Sequence, residues 1–168
     1  MPISRICIIL DNTAGALARV VTLFRRRSFN IVSLSVGEME NPELSRMTIL
    51  SDANPALVQH VQKQLLKQEF IRAAEIMPTE KVVERELVLV KTSKAGMSPA
   101  QWSELQKRFA LRMLMSDPDT YIFEYSGDAE EVEEFIQAVI PLGLMELSRT
   151  GETALVRGNK TLYKYLIR

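Results

Sequence analysis

The residues best placed to do chemistry lie close together near the N-terminus, in Asp11-Asn12-Thr13-Ala14-Gly15-Ala16-Leu17. An apolar run closes on Asp11 and a helical apolar stripe opens at Leu17, so the segment reads as a strand-to-helix turn. Helix-start N–H groups attract an anion, an asparagine amide offers both donors and an acceptor, and a glycine lets a ligand or a neighbouring chain approach the backbone closely. Those parts suit a carboxylate. Plain N-capping by Asn12 or Thr13 with an incidental glycine explains the same residues, and the turn by itself favours that simpler reading.

Catalysis has little to work with. One histidine, His60, and one cysteine, Cys7, cannot build a metal site or a Cys-His pair. His60 reads as a helical residue at or near the surface. Cys7, inside Ile6-Cys7-Ile8-Ile9, reads as a small buried hydrophobe, excludes an internal disulfide and suits a reducing compartment. Glu130, Glu131, Glu133 and Glu134 follow a helix start at Asp128, where the macrodipole favours negative charge, and read as a solvated face. The seven glycines form no phosphate-cradling loop. Lys plus Arg balances Asp plus Glu at 21 each, so no overall field draws the chain toward nucleic acid or an anionic membrane. The first residues lack a basic stretch followed by an apolar segment and cleavage site, which predicts no signal peptide and a cytoplasmic location.

The elements that must position the turn repeat in order. Ile3 to Leu10 reads as a buried strand. Leu17, Val20, Val21 and Phe24 make one apolar helical face, with Arg25-Arg26-Arg27 near its end and a stop near Ser28. Phe29 to Glu38 and Leu44 to Ser51 form a hairpin about Asn41-Pro42. Asn54-Pro55 opens a second helix faced by Leu57, Val58, Val61 and Leu65, and Phe70 to Met77 is a last strand. The second half gives a strand over Val82 to Thr92 and a helix capped by Ser98-Pro99-Ala100-Gln101, carrying Trp102, Leu105 and Phe109. Strands at Leu111 to Met115 and Tyr121 to Tyr125, a helix faced by Val132, Phe135, Ile136, Val139 and Ile140, and a strand at Leu144 to Ser148 follow. The fold class is therefore α+β, with two ferredoxin-like βαββαβ sandwiches in tandem. The expected domains are 1–79, 80–158 and a basic, aromatic tail, 159–168, the boundary falling near Thr79 to Val83. Two helices cover one face of each sheet, so the other face or an edge must be buried elsewhere, and self-association is the economical answer. Glu152 to Arg168 carries Arg157, Lys160, Lys164 and Arg168 with Leu162, Tyr163, Tyr165 and Leu166 between them, and reads as a docking tail.

A βαββαβ sandwich is also the frame of RNA-recognition domains, which stack bases on aromatics of the third strand. Arg46-Met47-Thr48-Ile49-Leu50 offers no ring there, which argues against nucleic acid.

Asp11-Asn12 to Gly15-Ala16-Leu17, Arg19-Val20, Leu23-Phe24 and Phe29-Asn30-Ile31 with Leu34 resemble the ACT domain of acetolactate (acetohydroxyacid) synthase small subunits. The likeness extends through Leu44-Ser45-Arg46-Met47-Thr48-Ile49, Val83-Glu84-Arg85-Glu86-Leu87 and Glu146-Leu147-Ser148-Arg149-Thr150-Gly151 to Arg157-Gly158. The resemblance implies a non-catalytic regulatory subunit that activates a large catalytic subunit and confers feedback inhibition by valine or a related branched-chain amino acid. It implies ACT domains paired edge to edge as a homodimer. The effector would lie between Asn12, Gly15, Ala16 and Leu17 of one chain and Asn30 with Ile31 of another. Thiamine diphosphate, magnesium and FAD would belong to the catalytic subunit, with no cofactor or metal and no membrane or nucleic-acid partner for this chain. A stand-alone ACT-type sensor is the alternative. Ala14 stands where ACT domains often have proline, and Ser28 where many relatives have glycine. Both border the site. The second unit lacks the Asn-x-x-Gly turn and reads as scaffold or docking surface.

Overall fold

The computed structural model describes residues 3–26 and 29–165; Arg27, Ser28, Leu166 and Arg168 lie outside the described residues. The chain divides into two compact units, 1–83 with 152–168, and 84–151.

The first unit runs β1 (Ser4–Asp11), α1 (Ala16–Arg25), β2 (Ile31–Glu38), β3 (Leu44–Ser51), α2 (Pro55–Leu65) and β4 (Ile71–Ile76). Its sheet has the order β2-β3-β1-β4 with antiparallel neighbours, so β2 and β4 are the edges. Ile6, Ile8 and Leu10 of β1 and Met47 and Ile49 of β3 meet Val20 and Phe24 of α1 and Val58, Val61 and Leu65 of α2. Those helical residues belong to the stripes expected from the 3.6-residue period, from which Leu17 and Leu57 drop out, 40% and 48% exposed.

β1 is buried along both faces, which is why its apolar residues run on without alternation. The cover on the second face is the chain's own C-terminal segment. Ala154 and Leu162 pack with Cys7, Ile9, Ala73, Met77 and Val82. Here β9 (Thr153–Val156) pairs with β5 (Val82–Ser93), whose first two residues belong to this unit. Arg157 donates its N–H to Lys81 O at 2.8 Å and its Nε to Val82 O at 2.7 Å. The expected domain limits thus differ from the structure, which groups 152–158 with the first unit because Ala154 supplies apolar cover there. The expected tail docks on this same unit: Leu162 is buried, and the Tyr163 hydroxyl donates to the Glu40 carboxylate, which holds Glu40 below the usual carboxylate range. The chain's own C-terminal segment thus covers part of the second face of this sheet.

Burial pushes the Cys7 thiol up, against the lowering pull of Arg46 and Arg5. Thiol reactivity follows the thiolate. Alkylation of the native protein by iodoacetamide at pH 8 is therefore expected to be at least ~100-fold slower than in denaturant, because it needs an opening of the structure; adduct formation followed by mass spectrometry checks this, and equal rates would contradict the buried placement.

The second unit continues β5 into α3 (Pro99–Arg108), β6 (Arg112–Ser116), β7 (Thr120–Gly127), α4 (Ala129–Val139) and β8 (Leu144–Arg149). Its strands are ordered β6-β7-β5-β8. Phe109, Phe123, Tyr125 and Phe135 form its centre, with Phe135 in contact with the other three rings. Capping boxes at Ser98 and Asp128 start both helices, as the spacing predicts for Ser98-Pro99-Ala100-Gln101. Glu130, Glu131, Glu133 and Glu134 are exposed, as is His60 on α2.

Candidate functional site

The turn after β1 is held from three sides. Asp11 donates its N–H to Phe70 O at 2.9 Å, and its carboxylate accepts from Arg72 Nε at 2.6 Å and Nη2 at 2.8 Å. Such a two-pronged arginine contact fixes orientation as well as position. Asn12 donates its N–H to Glu43 O at 2.8 Å. Its side-chain Nδ2 donates to Pro42 O at 2.9 Å and to Glu38 at 3.2 Å, while its Oδ1 accepts from the Ser45 hydroxyl at 3.0 Å. Asn12 therefore ties the β1 end to the β2–β3 hairpin. Its amide hydrogens are engaged within the chain, and its part in the site is to set the turn's shape.

The bland reading of the turn, a helix capped by Asn12 or Thr13, is not what the structure shows. The N-cap of α1 is Gly15, at φ 81°, and no side chain caps the helix. That left-handed conformation is the one glycine adopts without a steric cost. The first four amides of an α-helix have no partner within it. Ala16 N–H reaches back to Thr13 O at 3.1 Å, which leaves the amides of Leu17 and Ala18 without a side-chain acceptor. The other α-helices are capped: Asn54 Oδ1 accepts from Ala56 N–H at 2.9 Å, and Ser98 and Asp128 make full boxes. Apart from its own neighbours along the chain, no heavy atom among the described residues lies within 4 Å of where a Cβ on Gly15 would stand. The start of α1 is thus without a side-chain cap and has open space at Gly15, the kind of helix terminus that can receive an anion. Leu17 is 40% exposed beside it, whereas Ala16 is turned into the core.

The equivalent turn of the second unit is closed. Ser93 donates its N–H to Gly143 O at 2.9 Å, and a Cβ on Gly96 would lie 2.7 Å from Gly143 Cα. Backbone fills the space that is open at Gly15.

Asn30 and Ile31 lie elsewhere. Ile31 faces Ser51 across β2–β3, and Ser51 faces Ser4 across β3–β1, while Asp11 faces Leu44. The turn and the start of β2 therefore sit at opposite ends of the sheet, separated by the 8 residues of β1, about 23 Å from first Cα to last at the usual rise per residue. Asn30 is exposed, its carbonyl accepting from the Ser51 hydroxyl at 2.8 Å, and Ile31 packs partly on the core. Within one chain the two groups of predicted residues do not meet. The exposed Val32 and Val36 on the same edge strand were not singled out from sequence, since their exposure follows from β2 having only one neighbour.

Among the described residues, no group of three or more His, Cys, Asp or Glu could hold a metal ion, and no helix is long and apolar enough to cross a membrane.

Residues 6–71 match the model of the AHAS small subunit-like ACT domain, and residues 85–158 match that of the small subunit of acetolactate synthase. A probable acetolactate synthase small subunit of Archaeoglobus fulgidus is 44% identical, over 92% of this chain and 97% of the relative. The acetolactate synthase small subunit of Haemophilus influenzae is 34% identical, over 92% and 96%. The crystal structure of the acetolactate synthase small subunit from Thermotoga maritima superposes with a TM-score of 0.87 at 28% identity, covering 95% of this chain and all of that one. Two βαββαβ units, an uncapped turn in the first only, and matches across both halves agree: the chain belongs to the acetolactate synthase small-subunit family.

Proposed function

We propose that this chain activates the catalytic subunit of an acetolactate synthase and makes it subject to feedback inhibition by valine or a related branched-chain amino acid. The observation that carries the reading is the separation of the two halves of the candidate site along the sheet. β2 is an edge with unpaired backbone groups. Antiparallel pairing of β2 with the β2 of a second copy sets the Asn30 end of one chain beside the Glu38 end of the other. Glu38 is tied through Asn12 to the helix-start turn, so each of two symmetry-related sites would take Gly15 and Leu17 from one copy and Asn30 and Ile31 from its partner.

In that arrangement the open amides of α1 hold the effector's carboxylate, the Asn30 side chain faces its ammonium, and Leu17 and Ile31 supply the apolar wall for a branched side chain. Asn12 and Ala16 shape the turn from behind. The condensation chemistry, with its thiamine diphosphate, magnesium and FAD, belongs in this reading to the large catalytic subunit, which is the protein's partner.

The test is reconstitution. Added to its cognate catalytic subunit, the protein is expected to raise the rate of acetolactate formation and to make that rate fall with added valine, isoleucine or leucine. An unchanged rate, or activation that no branched-chain amino acid reverses, would contradict the respective half of the reading.

A further inference from the structure

The chain passes from the second unit back into the first between Gly151 and Glu152, and hydrogen bonds hold the backbone within each unit on its own side of that crossing. Before it, the Arg149 guanidinium grips Glu86 at 3.0 and 2.7 Å. Thr150 donates its N–H to Leu87 O at 3.1 Å, and Gly151 its N–H to Glu86 Oε1 at 3.2 Å. After it, Glu152 is stapled to β2. Its N–H donates to Ser33 Oγ at 3.0 Å, and its carbonyl accepts from the Ser35 hydroxyl at 2.7 Å. Serines two apart on a strand share a face, so this pair holds the donor and the acceptor of a single residue, as a neighbouring strand would.

Below that staple the Glu152 carboxylate is buried on Arg5, and Arg46 Nη2 donates to Ala154 O at 2.6 Å. An apolar segment would cover the sheet as well. Buried ion pairs add little net stability over apolar packing, and their best-attested use is to fix register. Here the register fixed is that of residue 152 against β2. Gly151, at φ 78°, ends the first anchored stretch and Glu152 begins the second.

We propose that the Glu152 staple couples the effector site to the C-terminal unit, with Ser33, Ser35 and Glu152 as positioning residues. The proposal rests on the reading of β2 as the effector-bearing edge. Asn30 precedes that strand, Ile31 opens it and Ser33 follows two residues later, so a shift of β2 on effector binding is handed through Ser33 and Ser35 to Glu152. Gly151 then passes it to the Arg149–Glu86 anchor.

Two variants separate coupling from binding: Ser33→Ala with Ser35→Ala, which removes the staple, and insertion of two glycines between Gly151 and Glu152, which keeps the staple and adds slack. Each is measured for binding of valine, isoleucine and leucine by calorimetry, and for inhibition of acetolactate formation in complex with the cognate catalytic subunit. Binding is expected to stay within about twofold while the half-inhibiting concentration rises at least about tenfold in both variants, within the usual range of allosteric coupling. Unchanged inhibition in the insertion variant would overturn the coupling, as would loss of binding in step with inhibition. If the unaltered protein binds none of the three amino acids, the effector reading itself fails, and the coupling falls with it.

Discussion

Gly15→Asp is expected to abolish feedback inhibition while leaving activation of the catalytic subunit intact. Gly15 is the N-cap of α1 at φ 81°, with open space where a Cβ would stand. Aspartate is among the residues that visit the left-handed region, so the fold bears the change at a cost of about 1–2 kcal/mol. Its carboxylate then lies over the open amides of Leu17 and Ala18, where the effector's carboxylate is proposed to bind, and repels what it does not displace. The half-inhibiting concentration should rise roughly 100-fold or more, equivalent to ~2.7 kcal/mol. Gly15→Asn is the control, since it has nearly the same size and conformational tolerance without the charge; it should retain most of the inhibition. Acetolactate formation titrated with valine reads both. Full inhibition of the aspartate variant would remove the effector from this turn.

Arg5→Met is expected to destabilise the first unit by about 3–5 kcal/mol, the usual result of leaving one member of a buried ion pair alone. The side chains of Arg5 and Glu152 are 6% and 4% exposed, and Glu152 Oε2 is buried without a hydrogen-bond partner, so Arg5 carries the pairing of this carboxylate. The double variant Arg5→Met with Glu152→Leu removes both buried charges together and should recover most of the loss. Midpoints of urea unfolding followed by circular dichroism check the pair. A single variant as stable as the unaltered protein would mean that the C-terminal segment does not hold Glu152 in the interior. The ion pair thus serves placement of the 152–162 segment more than net stability.

The sequence alone determined the two βαββαβ units. The stripe Leu17, Val20, Val21 and Phe24, the Asn54-Pro55 start and the Ser98 capping box are local signals, written within a turn or two of chain, and each element appears within a few residues of its expected place. It also marked the turn from Asn12 to Leu17, because a glycine between an apolar strand and an apolar helical face is a local pattern too. The tertiary structure decided what each of those residues does. Asn12 holds the hairpin through partners 26 to 33 residues away, Ala16 is turned inward, and the helix start is left without a side-chain cap. Sheet register placed Asn30 at the far end from Gly15, since strand pairing is set by burial of whole faces and no local motif records it. The sequence marked residues 152–168 as a docking tail, but that 152–162 return onto the first sheet was left to the fold. Glu152 meets Ser33 and Ser35 across 119 and 117 residues of sequence, and a glutamate in a polar stretch carries no mark that it will be buried. Only the fold supplied Arg5 as its partner.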